Sequence, residues 1–368
     1  MGKYKICAYA ICKNEEKFVD KWYQSVKEAD MVIVGDTGST DNTVAKLREL
    51  GATVHILNVN PFRFDYARNS LLKLIPEDTD ICVSSDLDEI ISPGWRNYLE
   101  KAWQSDTTRG SCQFNWSHNP DGSPSVTYLH QRIHARQGYI WLYPTHEIVS
   151  YIGGGEEKEV FVEGMVYDHY PDKTKNRSFN LALLQLAVEE NPLSPRNYHY
   201  LGREYLFMGD WNNSIDILLK YLDLPSSVWK EERAASMRFI ARAYKGKRQN
   251  EESRKWLHKA IAECPDIREP YIEMSILAYI ERDWLSMYYY AEYAVRITDR
   301  KIGYSSEEFA WDHTPYDLLA ISSYWLGMKE KAIHYSEAAL RINPDSERLI
   351  NNHTIYTESR TYPGNHFR

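Results

Sequence analysis

Apolar and polar positions follow one rhythm in the first half of this chain and another in the second. In the first half short apolar runs end in polar loops, and each loop opens a segment of helical period. The runs Ile6–Ile11, Met31–Val34, Thr53–Leu57 and Ile81–Val83 read as strands, and the intervening Phe18–Val26, Thr43–Leu50 and Tyr66–Leu74 as helices, the last stopped by Pro76. Strands apolar on both faces are those of a covered parallel sheet, and strand–helix alternation is the doubly wound signature. Their polar carboxyl ends are expected to line one crevice, where open α/β sheets bind ligands. From Gly110 to His134 the pattern becomes antiparallel, with Ser111–Trp116 and Ser125–His134 flanking the turn-rich Ser117–Pro124.

Beyond Lys175 the period is helical throughout. Asn180–Val188 is a helix stopped by Asn191 and Pro192. Met237, Ile240, Ala241, Tyr244, Ser253, Leu257, Ala260 and Pro265 then recur with the same offsets as Tyr316, Leu319, Ala320, Ser323, Ala332, Ser336, Ala339 and Pro344. Those offsets match the tetratricopeptide pattern. An earlier copy opens with Tyr198, Leu201, Gly202 and Tyr205, and a degraded one with Tyr271, Met274, Met287 and Ala294; Asp299–His313 is an insertion between copies. The expected organisation is an α/β domain over residues 1–174, helical repeats over 175–350 and an irregular tail over 351–368.

At 368 residues, 43% hydrophobic and with a net charge of −8, the chain has the balance of a soluble globular protein rather than a nucleic-acid binder. Its five cysteines, Cys7, Cys12, Cys82, Cys112 and Cys264, are scattered and partly inside apolar strands, which excludes a C-x-x-C zinc site and a disulfide framework. The opening apolar run is too short for a signal peptide or a membrane span. A cytoplasmic location is the expectation.

The chemistry concentrates where Ile81–Val83 ends, because Asp86, Asp88 and Glu89 follow at once. On an extended segment Asp86 and Asp88 project to one side while Leu87 points back into protein. Such a pair suits a hard divalent cation shared with substrate phosphates. Further along, His146 and Glu147 cannot form a zinc-protease motif, because Ser150 stands where H-E-x-x-H needs its second histidine.

Four ordered segments, Lys13–Glu16, Val32–Thr43, Phe64–Asn69 and Asp86–Glu89, together resemble glycosyltransferase family 2. The resemblance covers residues 5–170. It implies a GT-A fold, a Rossmann-like sheet that binds a nucleotide-diphosphate sugar with Mg²⁺ or Mn²⁺. It further implies that the stretch from Ala8 through Ala10 to Glu15 lines the nucleotide pocket and that Asp36 accepts from a uracil N–H. Asp65 and Arg68 would share a helix face toward the donor, with Arg68 on a phosphate or the sugar. Asp86 would face ribose and metal, Asp88 would be the principal ligand, and His169, in Tyr167–Tyr170, would complete the site. The family inverts the anomeric centre, which requires a base opposite the diphosphate; Glu147 is the choice over Asp121 and Asp168. The structural alternatives are that Glu147 pairs with Arg132 or Arg136, that Asp65 pairs with Arg68, and that Asp36 only forms a turn.

With its repeats the chain resembles the peptide S- and O-glycosyltransferases of glycocin biosynthesis and bacterial enzymes of surface-glycan assembly. Three functions stay open: transfer from a UDP-sugar to a peptide or protein, transfer to a glycan, and a non-catalytic repeat scaffold with a vestigial nucleotide pocket. The repeats would capture the acceptor or form a homodimer. A sugar nucleotidyltransferase would need a Gly-rich basic phosphate loop that this sequence lacks.

Overall fold

The computed structural model describes residues 2–119, 122–172, 180–301, 303 and 305–358. The chain divides into two compact units, Met1–Glu190 and Asn191–Arg368.

The N-terminal unit is built on an eight-stranded mixed sheet in the order β3-β2-β1-β4-β7-β6-β10-β5. Its parallel half comprises β1 (Ile6–Cys12), β2 (Met31–Asp36), β3 (Thr53–Ile56) and β4 (Ile81–Ser84), joined by α1 (Val19–Val26), α2 (Thr43–Leu50) and α3 (Phe64–Leu72). The doubly wound expectation holds there, and the ends of β1, β2 and β4 open on one edge. After β4 come the short β5 (Glu89–Ile91), α4 (Trp95–Ala102), β6 (Arg109–His118) and β7 (Pro124–Ala135). A two-stranded hairpin follows, β8 (Tyr139–Leu142) with β9 (Ile148–Tyr151), then β10 (Glu159–His169) and α5 (Asn180–Glu190).

The period-2 pleat of β1 explains the core. Ile6, Ala8 and Ala10 pack on one face against Trp22, Trp95 and Val83, while Cys7 and Tyr9 pack on the other against Leu71, Ile75 and Trp141. All five cysteines are free and buried. β7 is what turns the sheet antiparallel, pairing with β4 through Val83 and Ile133 and with β6 along most of its length.

Among the described residues the regular structure of the C-terminal unit is all helical. The pairs are α6 (Pro195–Phe207) with α7 (Trp211–Asp223), α8 (Lys230–Gly246) with α9 (Asn250–Glu263), α10 (Glu269–Glu281) with α11 (Trp284–Arg296), and α12 (Thr314–Trp325) with α13 (Lys329–Ile342). The last helix is α14 (Glu347–Glu358). The repeat positions read from the sequence fall at helix crossings: Leu257, Ala260, Ala332 and Ala339 are buried, and a Cβ at Gly202 would sit 2.5 Å from Leu218 Cγ. Side-chain caps start α7 and α11, Asp210 accepting from the Asn213 N–H and Asp283 from the Ser286 N–H. One expectation fails: residues 351–358, read as irregular, are helical, because Leu349 and Tyr356 bury one face of α14.

Candidate active site

The carboxylate stretch leaves β4 through a tight turn rather than as an extended strand. The Glu89 N–H donates to the Asp86 carbonyl at 2.9 Å, and the Asp86 N–H donates back to Glu89 Oε2 at 2.8 Å. Leu87 is buried as expected. The turn breaks the period of two, so Asp86 and Asp88 meet different partners instead of sharing one side.

Arg68 is the hub on the Asp86 side. It sits one turn into α3, 2% exposed. Its Nη2 donates to both Asp86 oxygens, at 2.8 and 3.0 Å, and its Nε donates to Glu147 Oε1 at 2.6 Å. The guanidinium lies over the Trp141 ring, 4.6 Å from the centroid. Its Nη1 is buried without a hydrogen-bond partner. Asn69, next on α3, fixes the hairpin that carries Glu147: its Nδ2 donates to the Trp141 carbonyl at 2.8 Å and its Oδ1 accepts from the Trp141 N–H at 2.9 Å. His146 turns the chain into Glu147 with φ 50°.

A second guanidinium closes the cluster from β7. Arg132 Nη1 donates to Asp86 Oδ2 at 2.8 Å and lies 3.4 Å from Glu89 Oε1. Burial would raise the Asp86 carboxyl, but Arg68 and Arg132 together hold it well below the usual carboxylate range. Glu89 is pushed the other way, up to about 7, by burial and the neighbouring Asp86 and Asp88 charges, with Arg132 opposing.

Asp88 faces His169 instead. β5 and β10 pair antiparallel with Glu89 opposite His169, and this brings His169 Nε2 within 3.5 Å of Asp88 Oδ2. Nδ1 of His169 lies 3.1 Å from the Trp116 carbonyl, and the two rings stack with centroids 4.4 Å apart. Burial lowers the imidazole, yet Asp88 and the Trp116 carbonyl outweigh it and leave His169 above its ordinary value.

The remaining sequence candidates are placed as follows. Asp36 is 2% exposed and accepts from the Gly38 and Ser39 N–H groups, the geometry of a turn former. Asp65 pairs with Arg63 through two bonds of 3.0 and 2.8 Å rather than with Arg68, and Arg63 also reaches Glu190. Spacing of three on a helix permits the Asp65–Arg68 pair, but Arg68 is drawn to the carboxylates at the strand ends. Ala10 is wholly buried in the apolar layer, so it offers a pocket only backbone. The Glu15 N–H donates to Thr43 Oγ1 at 2.8 Å, tying the first loop to α2. Asp168 accepts from Asn115 Nδ2 at 2.8 Å and lies 2.9 Å from His118 Nε2; as the neighbour of His169 on β10 it points to the opposite face. Asp121 lies outside the described residues.

Glu147 pairs with Arg68, not with Arg132 or Arg136. The sequence places Glu89 with Asp86 and Asp88 at the strand end without giving it a role, and it gives Arg132 no place among the donor-site residues. Arg132 is 46 residues from Asp86 and carries no local signal; only the β4–β7 register brings it there.

Among the described residues no three His, Cys, Asp or Glu side chains form a group that could hold an ion unaided. Asp88 and His169, 3.5 Å apart, could supply two ligands. That fits a divalent cation whose remaining positions are filled by water and a donor diphosphate, as is common for Mg²⁺, and a mixed oxygen and imidazole set suits Mn²⁺ as well.

Residues 8–158 match the model of the family described as Glycosyl transferase family 2. The matched span holds Arg68, Asp86, Asp88, Arg132 and Glu147 and ends before His169. It covers most of β1 and the elements from β2 to β9, the hairpin that carries Glu147 included, and stops short of β10. No curated protein matches the chain. Solved structures with similarity include MamA, 16% identical over 48% of this chain and 96% of that one with a TM-score of 0.38. YrrB, "a TPR protein with an unusual peptide-binding site", is 16% identical over 48% of this chain and 84% of that one, TM-score 0.39. A thermophilic TPR protein of Thermus thermophilus is 17% identical over 48% of this chain and 88% of that one, TM-score 0.35.

Proposed function

We propose that this chain is an inverting, metal-dependent glycosyltransferase that moves a sugar from a UDP-sugar to a peptide or protein. The observation that carries the reading is Arg68: a buried guanidinium at the carboxyl ends of parallel strands, held by Asp86 and Glu147, with Nη1 lacking a partner. A buried donor left unsatisfied costs about 1–3 kcal/mol, and an oxygen of the donor diphosphate or sugar would satisfy it.

Asp88 and His169 would hold the cation, which when bound supplies charge stabilisation to the departing diphosphate. Asp86 is kept ionised by two guanidiniums and fixes Arg68 and Arg132 toward the leaving-group side. Glu147 is assigned as the base. Arg68 Nε holds its Oε1, and Oε2 makes no hydrogen bond among the described residues, so it can take the acceptor proton. Arg68 thus ties leaving-group and acceptor sides into one rigid unit.

A carbohydrate acceptor is the second reading. It is favoured by Trp116, 42% exposed beside His169, whose indole face could stack on a sugar ring. The deciding experiment incubates the protein with UDP-sugars and Mn²⁺ and measures UDP release, first without acceptor and then with peptides or oligosaccharides. Absence of UDP release from every donor, under any cation, would point to the scaffold instead.

A further inference from the structure

We infer that Trp141 is a positioning residue of the donor site, its buried indole setting the planes of Arg68 and Arg132, the two guanidiniums on the leaving-group side. That role rests on the transferase reading, in which those cations meet the diphosphate.

β8 alternates: Tyr139 and Trp141 are buried while Leu142 is exposed, so Trp141 joins the apolar layer of Tyr9, Leu71 and Cys82. Bulk alone does not call for tryptophan there, because a buried indole N–H needs an acceptor. It has one in Tyr9 Oη at 3.0 Å, and that hydroxyl is itself held 2.7 Å from His134 Nε2. The backbone is fixed as well, since Asn69 bonds both the N–H and the carbonyl of Trp141. The ring is fastened at its edge and at its own peptide groups, which leaves its π surface in one place.

Both cations of the site lie over that surface, Arg68 with Cζ 4.6 Å and Arg132 with Cζ 5.8 Å from the ring centroid. They come from α3 and β7, carry like charge and share Asp86. Two cations on one carboxylate repel each other, and a desolvated π face attracts both without competing for that carboxylate. Stacking occupies the faces of a guanidinium and leaves its in-plane N–H groups for bonds. Arg68 spends Nε on Glu147 and Nη2 on Asp86, and Nη1 stays without a hydrogen-bond partner. Trp141 thus decides where that open donor points, and it acts through the arginines rather than by touching substrate.

The test measures binding of inorganic diphosphate with Mg²⁺ to the full chain by calorimetry. Trp141→Phe and Trp141→Met both lose the N–H to Tyr9, but only phenylalanine keeps an aromatic face, so the difference between them isolates the stacking. Trp141→Met is expected to bind diphosphate at least about tenfold more weakly than Trp141→Phe, the scale of two desolvated cation–π contacts. In an Arg68→Lys background, where the planar fork is already gone, the same difference should shrink to about twofold, whereas a residue that only fills the core gives equal losses in both backgrounds. Equal affinities of the two variants, equal losses in both backgrounds, or no binding by the wild type would each overturn the assignment. No sugar donor enters the comparison, so failure of the transferase reading shows separately, as a wild type that binds diphosphate and releases no UDP. Should Trp141→Met not fold, stepwise fluorination of Trp141 alone decides, since it keeps the shape and the N–H and drains the negative face of the ring. Diphosphate affinity that falls with each added fluorine supports the role, and unchanged or tighter binding refutes it.

Discussion

Arg68 Nε donates to Glu147 Oε1 at 2.6 Å, and the two residues are 79 positions apart. One comes from a helix of the parallel half and the other from the hairpin that follows the antiparallel strands. Because the same guanidinium holds Asp86, a change at any of the three is felt by the other two. Two effects can therefore be separated by experiment, loss of the fork and loss of the charge.

Arg68→Lys keeps the charge but not the planar fork. UDP release should fall by about 10²–10³, as for removal of one preorganised donor, with a small change in Tm. Arg68→Met should be worse for folding, because it strands Glu147 and half of the Asp86 pairing at a cost of about 3–5 kcal/mol. Turnover by Arg68→Lys at the wild-type rate would remove Arg68 from the donor site.

Asp88→Asn should abolish metal-stimulated UDP release while leaving the circular dichroism spectrum and Tm close to wild type, since Asp88 is partly exposed and, among the described residues, its carboxylate pairs with His169 alone. His169→Ala should weaken Mn²⁺ dependence by about 10–100-fold in the half-saturating concentration, the scale seen when the surroundings of a metal site are altered. Full activity in excess chelator would exclude the cation altogether.

Glu147→Gln preserves the acceptor for Arg68 Nε and removes the basicity. Transfer to a hydroxyl acceptor should drop by about 10²–10⁴, with donor affinity nearly unchanged. A thiol acceptor, partly ionised near neutral pH, should lose much less. If instead Asp121→Asn alone stops transfer, the base belongs to the segment between β6 and β7; if Asp168→Asn alone does, it belongs to β10.

Stability should carry an imprint of His134. The Trp141 Nε1–H donates to Tyr9 Oη at 3.0 Å, Tyr9 Oη–H donates to His134 Nε2 at 2.7 Å, and His134 Nδ1–H donates to the Ala135 carbonyl at 2.8 Å. Burial lowers the imidazole from 6.5 to about 4. The folded ring is thus neutral where the unfolded one is protonated, so the unfolded state binds more protons and stability rises with pH. This contribution is complete above pH 6.5 and is lost as pH falls toward 4, up to about 3 kcal/mol at 1.36 kcal/mol per unit. Urea unfolding across that window should show a steeper pH slope for wild type than for His134→Gln. Identical slopes would mean that His134 does not titrate with folding.

Gly202 tests the repeat packing. An added Cβ meets Leu218 Cγ and Cδ2 at 2.5 and 2.6 Å, so Gly202→Ala should destabilise the helical unit by about 1–3 kcal/mol, the range for overpacking. Helix propensity alone predicts a gain, and the sign of the change in Tm separates the two.

The sequence by itself determined what local periodicity encodes. Apolar runs and polar loops specified the four parallel strands and their helices, and the recurrence of Leu257 and Ala260 as Ser336 and Ala339 specified the helix pairs. It also placed Asp86 and Asp88 at a strand end, because an apolar run can end in only one place. What it did not contain was which face each polar group would meet. The turn after Asp86 sends the two aspartates to different partners, and no two-residue spacing reveals a turn closed by the Glu89 side chain. Arg132 joins the site only through the β4–β7 register, and Glu147 meets Arg68 only once the β8–β9 hairpin is clamped by Asn69. Pairings across tens of residues depend on which strands become neighbours, and that choice is made by burial of the whole sheet rather than by any one segment.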